Sequence, residues 1–348
     1  MSNLHIVLTS FLLALILAAV FAPLARRAGL VDTPDARKQH SGDIPLVGGL
    51  AIYLTVVFSL LLTDLPLNSL RGFFAGSVVL VLIGVIDDFH ELSASKRFVA
   101  QIVAVVLMGA WGGVYLTDLG HIFGHTTLAL GMLALPFTVF AGVGIINAYN
   151  MIDGMDGLCA SLSLVCFAAL GFVAWHAGHY WTLTVLGVII SATLGFLLLN
   201  IRLAQTRALR VFLGDAGSTL LGFMVVWTLV RTSQGEQALV APATALWFAA
   251  IPLLDTVTLM IRRICRGKSP FEADQEHLHH LLQRAGLSVN QALAGATGLA
   301  LVAAAIGLAM HFLDVAESIQ AVGFVLAGVA YFLISARAWI KLNAPVPA

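Results

Sequence analysis

Asn147-Ala148-Tyr149-Asn150-Met151-Ile152-Asp153-Gly154-Met155-Asp156-Gly157-Leu158 joins two long apolar runs, 128–147 and 157–176. An ionised carboxylate at the centre of a lipid-embedded helix costs about 2.5–3.5 kcal/mol. Two aspartates beside two glycines at a helix end avoid most of that cost and leave hard oxygen ligands at a membrane surface. The pattern recurs at Asp87-Asp88 and at Gly214-Asp215. Three acidic clusters at membrane edges point to one active site on a membrane scaffold.

Composition agrees. The 348 residues are 59% hydrophobic and 10% charged, where a soluble domain carries roughly 25% charged residues. Mean hydropathy is +0.96. The expected fold class is all-α, a polytopic membrane protein in which about 20 apolar residues make each crossing. Spans are predicted near 4–24, 47–64, 70–86, 98–116, 128–147, 157–176, 181–199, 213–231, 239–261, 291–312 and 318–338, eleven helices in a single domain over 1–348. The first stretch has no basic flank before it and no small-residue cleavage site after it, and Arg26-Arg27 follow it, so it reads as an anchor rather than a signal peptide.

With the N-terminus periplasmic and the C-terminus cytosolic, sixteen of the eighteen Lys and Arg fall on the cytosolic side, leaving Arg71 and Arg231 outside. The cytosolic loops are then near 25–46, 87–97, 148–156, 200–212 and 262–290. The same assignment puts Asp87, Asp88, Asp153, Asp156, Asp215 and the histidines of 277–280 on that one face. Trp175 and Trp181 flank an outer turn at 177–180 as an aromatic belt. Cys159, Cys166 and Cys265 have no metal-binding spacing and read as reduced, buried or lipid-facing residues. The formal net charge is zero, and no nucleic acid is expected as a partner.

Five segments carry polar chemistry. In the first inner loop, Arg37, Lys38 and His40 either face a pyrophosphate or serve as a positive-inside anchor. Asp87 and Asp88 sit about 100° apart on a helix, so one can orient a ligand while the other accepts a proton; a hydrated helix end is the plain alternative. Lys96 begins the next span. Asn150, Asp153 and Asp156 are spaced by three, which on a continuing helical turn makes a ladder of oxygen ligands. Oxygen-only ligands suit Mg²⁺ or Mn²⁺ rather than zinc. Asp215 opens the eighth span, where it either caps the helix or meets a cation held by a diphosphate. In the largest inner loop, Ser269-Pro270-Phe271-Glu272 has capping-box spacing, and His277-Leu278-His279-His280 follows, with Gly286 as a stop. Asp255, within the ninth span, reads as the partner of a buried polar group.

Taken together, Arg37-Lys38-Gln39-His40 with Pro45 and Gly48-Gly49, Asp87-Asp88, Asn150 to Gly157, Phe212 to Ser218, and His277 to His280 resemble the polyprenyl-phosphate N-acetylhexosamine-1-phosphate transferase family. The matches occur in the family's order from about residue 32 to 290. Val114 to Gly124 and Ser269-Pro270-Phe271 resemble its GlcNAc-1-phosphate branch. The chain departs from the phospho-N-acetylmuramoyl-pentapeptide branch by its eleventh span, its cytosolic C-terminus, its interrupted histidine run, and Glu91 where that branch has Lys.

The resemblance implies Mg²⁺-dependent (or Mn²⁺-dependent) transfer of GlcNAc-1-phosphate, or another N-acetylhexosamine 1-phosphate, from the UDP-sugar to undecaprenyl phosphate at the inner membrane, with release of UMP. It implies Asp215 and Asn150 as metal residues. Asp87 or Asp88 would deprotonate or orient the lipid phosphate, with Asp153 and Asp156 completing the catalytic set. Arg37, Lys38, His40, Lys96, Asn147, His277, His279 and His280 would bind substrate. It leaves room for a homodimer. The rival class is a secondary transporter or flippase, which would put ionisable residues near the midplane.

Overall fold

The computed structural model describes residues 3–33, 42–201, 210–269 and 276–342. Its helices are α1 (Asn3–Ala28), α2 (Gly48–Leu61), α3 (Arg71–His90), α4 (Ala94–Val106), α5 (Ala134–Ile152), α6 (Leu158–His176), α7 (Tyr180–Asn200), α8 (Gly214–Ser233), α9 (Pro242–Phe248), α10 (Ala250–Cys265), α11 (Leu278–Arg284), α12 (Val289–Phe312) and α13 (Glu317–Leu342). A short antiparallel pair, β1 (Val31–Asp32) and β2 (Ile44–Pro45), frames the first inner loop. Arg37, Lys38 and His40 lie outside the described residues, as does Pro270 to Glu272 of the expected capping box.

Helix α8 is the axis. From Ala216 to Ser233 every residue except Arg231 is buried, as expected for a helix enclosed by protein on all sides. Its threonine hydroxyls are satisfied internally: Thr228 and Thr232 donate to the carbonyls four residues back at 2.8 and 2.7 Å. Small residues let the neighbours approach backbone to backbone. A Cβ on Gly84 of α3 would collide with Ala216, and one on Gly49 of α2 would collide with Gly217. Both meet the first turn of α8, so α2 and α3 fix the place of Asp215.

Periphery and interior reverse the soluble pattern. On α1, Leu4, Leu8, Leu12, Ile16, Val20 and Leu24 are at least half exposed, whereas Ala14, Ala18, Ala22 and Ala25 are buried. Small residues inside and large apolar residues outside is the arrangement a lipid solvent favours. Of the two tryptophans expected in an outer belt, Trp175 is exposed while Trp181 is half-buried against the core, and Tyr180 is exposed beside it at the turn between α6 and α7.

Among the described residues, eight helices are long and apolar enough to cross a membrane, and a ninth if α9 and α10 form one bent span. Of the eleven expected spans, that of 47–64 is the 14-residue α2, and that of 213–231 is the enclosed α8. The span expected at 239–261 is broken: α9 and α10 meet at 85° across Ala249. Pro252 gives the reason. It has no N–H to donate to the Phe248 carbonyl, and its ring crowds that carbonyl, so α9 ends at Phe248.

The inner loops are tighter than expected. Helix α3 runs on to His90 and α4 starts at Ala94, and α5 extends to Ile152. The segment 153–157 that follows is not helical, so Asn150, Asp153 and Asp156 do not form a helical ladder. Gly157 at φ +77° reverses the chain into α6.

Candidate active site

Asn150 lies in the last turn of α5 and Asp153 is that helix's C-cap. Asp87 and Asp88 lie in the last turn of α3, and Asp215 in the first turn of α8. These three helix ends converge. Asp88 accepts the backbone N–H of Asp215 at 2.7 Å and that of Ala216 at 3.4 Å. It therefore caps α8 from another helix, supplying the side-chain acceptor that Leu213 at the N-cap position lacks. Gly214 has φ +74°, and a Cβ there would strike the Asp88 carboxylate.

Asp87 is buried and accepts the Leu92 N–H at 2.5 Å. Arg97 of α4 lies 3.3 Å from Asp87 and 3.8 Å from Asp215, linking two carboxylates that would otherwise repel. Lys96, expected to contact substrate, is exposed on the first turn of α4; its neighbour Arg97 makes the acidic contact. Asn147 exchanges hydrogen bonds with buried Gln101, and Gln101 lines a narrow crevice with Asp87, Arg97 and Asp215.

Asn150 donates Nδ2 to Asp215 Oδ1 at 2.7 Å and to Ser218 Oγ at 2.9 Å. Since a carboxylate accepts only, this fixes the amide orientation and leaves Asn150 Oδ1 without a donor among the described residues. Asp215 is the open member of the cluster, its side chain 38% exposed against 3% for Asp87. Asp156 is paired with Arg210, whose guanidinium lies 5.0 Å from the Phe212 ring centroid. The Asp153 carboxylate has no hydrogen-bonding or cationic partner among the described residues. Burial first, then repulsion from Asp215, Asp156 and Asp88, holds its carboxyl well above the usual carboxylate range.

That donor set fits a hard divalent cation. Asp215, the Asn150 carbonyl and the uncompensated Asp153 supply oxygens alone. No three His, Cys, Asp or Glu among the described residues form a ready-made metal cage. Mg²⁺ is commonly held in this way, by one or two carboxylates together with substrate phosphates.

The histidine segment reaches the same place. His277 is the N-cap residue of α11. His279 is 1% exposed and neither ring nitrogen has a partner among the described residues; a Cβ on Gly154 would sit 2.5 Å from its Nε2. Burial, with His280 and His277 beside it, pushes the His279 imidazole down to about 3. The His280 ring is 4.1 Å from that of His279. Asp255 is indeed the partner of a buried polar group: it bonds His277 Nδ1 at 2.8 Å.

The first inner loop returns beside Asp215 as well. Phe212 N donates to Pro45 O at 2.8 Å and Gly48 N to Phe212 O at 2.9 Å. Arg97, Arg210 and Ser218 were not singled out from the sequence. Arg97 stood next to the lysine that was chosen, and Arg210 followed Asp156 by 54 positions, where spacing carries no signal.

Such a gathering of carboxylates, amide and histidines at the ends of membrane helices suits phosphoryl transfer, where positioning and charge neutralisation do most of the work. Residues 70–233 match glycosyl transferase family 4, and the chain belongs to that family, within its polyprenyl-phosphate N-acetylhexosamine-1-phosphate transferases. It is 42% identical over 316 residues to the undecaprenyl-phosphate alpha-N-acetylglucosaminyl 1-phosphate transferase of Escherichia coli (strain K12), covering 90% of this chain and 86% of that protein. The transferase of the same name from Haemophilus influenzae is 40% identical over 341 residues, 96% of this chain and 94% of that protein. That from Yersinia pestis is 38% identical over 330 residues, 94% and 90%.

Proposed function

We propose that the protein transfers GlcNAc-1-phosphate from UDP-GlcNAc to undecaprenyl phosphate at the inner leaflet of the bacterial inner membrane. A lipid phosphate oxygen attacks the sugar-bearing phosphorus, the bond from that phosphorus to the bridging oxygen breaks, and UMP leaves. The product is the lipid diphosphate sugar that starts a surface glycan such as O-antigen. The observation that carries this reading is the convergence of Asp215, Asn150 and the uncompensated Asp153, in a chain whose relatives bear that transferase's name.

Asp215 and Asn150, with Asp153 beside them, would hold Mg²⁺ or Mn²⁺, which when bound neutralises the diphosphate and the departing UMP. Asp88 holds the first turn of α8 so that Asp215 keeps its place. Asp87 and Arg97 present a balanced pair beside it for the lipid phosphate. Neutral His279 holds the donor by hydrogen bonds rather than charge, with His277 and His280 beside it. Arg37, Lys38 and His40 serve the donor phosphates. Purified protein given UDP-GlcNAc, undecaprenyl phosphate and Mg²⁺ should release UMP; no release would reject the reading.

His279→Ala should raise the donor KM about tenfold, the scale of one lost hydrogen bond, with little change in kcat. A neutral imidazole stays neutral well above a pKa of about 3, so the defect should be constant from about pH 6 upward. A defect that grew toward acid pH would mean that a charged ring binds the donor.

Eleven crossings with a periplasmic N-terminus are the topology that places the site on the cytosolic face. The distribution of sixteen Lys and Arg supports it. Helix α2, about 21 Å long at 1.5 Å per residue, would cross by being enclosed. A reporter after Leu342 should read cytosolic and one near Gly178 periplasmic. Both on the same side would reject the eleven-crossing topology.

A further inference from the structure

Asp255 does more than fill a polar gap. It is 2% exposed, and both its oxygens are used. Oδ2 faces His277 Nδ1 at 2.8 Å, while Oδ1 accepts the Leu278 N–H at 3.1 Å and the Tyr331 O–H at 2.8 Å. The carboxylate comes from α10, the imidazole from the start of α11 and the phenol from α13. With Asp255 accepting at both oxygens, the shared ring proton sits on His277 Nδ1. Nε2 is then the nitrogen left to meet a ligand, and it has no protein hydrogen bond among the described residues.

A second tie comes from the same last helix. Trp339 Nε1 donates to the Glu276 carbonyl at 3.1 Å. The Glu276 carboxylate lies 3.1 Å from Arg262 and 2.6 Å from Arg266 of the α10 end. The chain just before His277 is therefore clamped between α10 and α13. The break at Ala249 makes this possible, since it turns α10 and with it Asp255 toward the histidine segment. All these residues lie beyond the 70–233 segment matched by the family.

We propose that Asp255, braced by Tyr331 of the last helix, is a positioning residue that fixes the tautomer and aim of His277 so that Nε2 engages the donor. This rests on the donor-binding role given to the histidines above. Carboxylate partners of functional histidines act in this way, and their loss typically costs 10–100-fold. An amide at the same place can donate to Nδ1, which would move the ring proton to Nε2.

The test is a double-mutant comparison of kcat/KM for UDP-GlcNAc. Asp255→Asn should lower it about 10–100-fold, with the acceptor KM unchanged. Tyr331→Phe, which removes one hydroxyl and is the milder change, should lower it several-fold. In a His277→Ala background neither substitution should cost more than about twofold, because the ring they act through is gone. Losses that multiply with His277→Ala would show that Asp255 serves only the packing of α10 against α13, and would overturn the proposal. Wild-type values for both single variants would overturn it too. A parent protein that transfers no GlcNAc-1-phosphate would instead overturn the donor reading, and this inference with it.

Discussion

Asp215→Asn should abolish turnover, with a loss of about 10³-fold or more, while the protein still inserts and folds. The magnitude follows from what the carboxylate faces. Removing one preorganised group that stabilises developing charge costs about 10²–10³ in kcat in other enzymes, and here a diphosphate would lose compensation where water is limited. The fold should tolerate the change. Asp215 is the most open of the acidic side chains in contact with Arg97, its backbone N–H to Asp88 is unaffected, and an amide oxygen can still accept from Asn150 Nδ2. Mn²⁺ binding followed by electron paramagnetic resonance should weaken in parallel, without any need for turnover. Near-normal activity at ordinary Mg²⁺ would leave Asp215 as a residue that merely favours a helix N-terminus.

Asp88→Ala should damage both activity and stability. The carboxylate accepts two backbone N–H groups at the start of α8, and losing a cap of this kind typically costs about 1–2 kcal/mol. Those amides carry Asp215, so turnover should fall about 10²-fold, the scale seen when a supporting group lets a ligand drift. Asp88→Asn keeps an accepting oxygen and should be milder on both counts. Because the contact is to backbone, its kcat defect should persist up to about pH 9. At the upper end the lipid phosphate, with a second pKa near 6 by analogy with phosphoserine, needs no base. A defect that vanished at alkaline pH would restore Asp88 as the base that deprotonates the acceptor, one of the two roles open to it from sequence.

What could be read from the chain, and what could not, divides along the range of the interaction. The acidic clusters were legible because lipid makes each one costly, so their placement at helix ends carries information. Asn150, Asp153 and Asp215 do meet, although the spacing argument for a ladder was wrong: Asp153 ends its helix and Gly157 turns the chain. Local stops were legible too, as with Gly286 after α11. The break before α10 was within reach, since Pro252 forbids the bond that would join the two helices, but an unbroken apolar run concealed it. The trans-helix cap from Asp88 to Asp215 spans 127 positions, and the pairing of Asp255 with Tyr331 spans 76. No periodicity encodes such pairs, because packing creates them. Lys96 and Arg97 show the same limit at its smallest. Both sit on the first turn of α4, and the helix phase at its contact with α3 decides which one reaches Asp87.

The central claim is that the sugar moves together with its own phosphate. UDP-GlcNAc labelled at the sugar-bearing phosphorus, incubated with the purified protein, undecaprenyl phosphate and Mg²⁺, tests it most directly. The account predicts that label and GlcNAc appear together in the lipid product, with unlabelled UMP released in equal amount. Label that remained in UDP, or a donor left intact while lipid or sugar crossed the membrane, would contradict it.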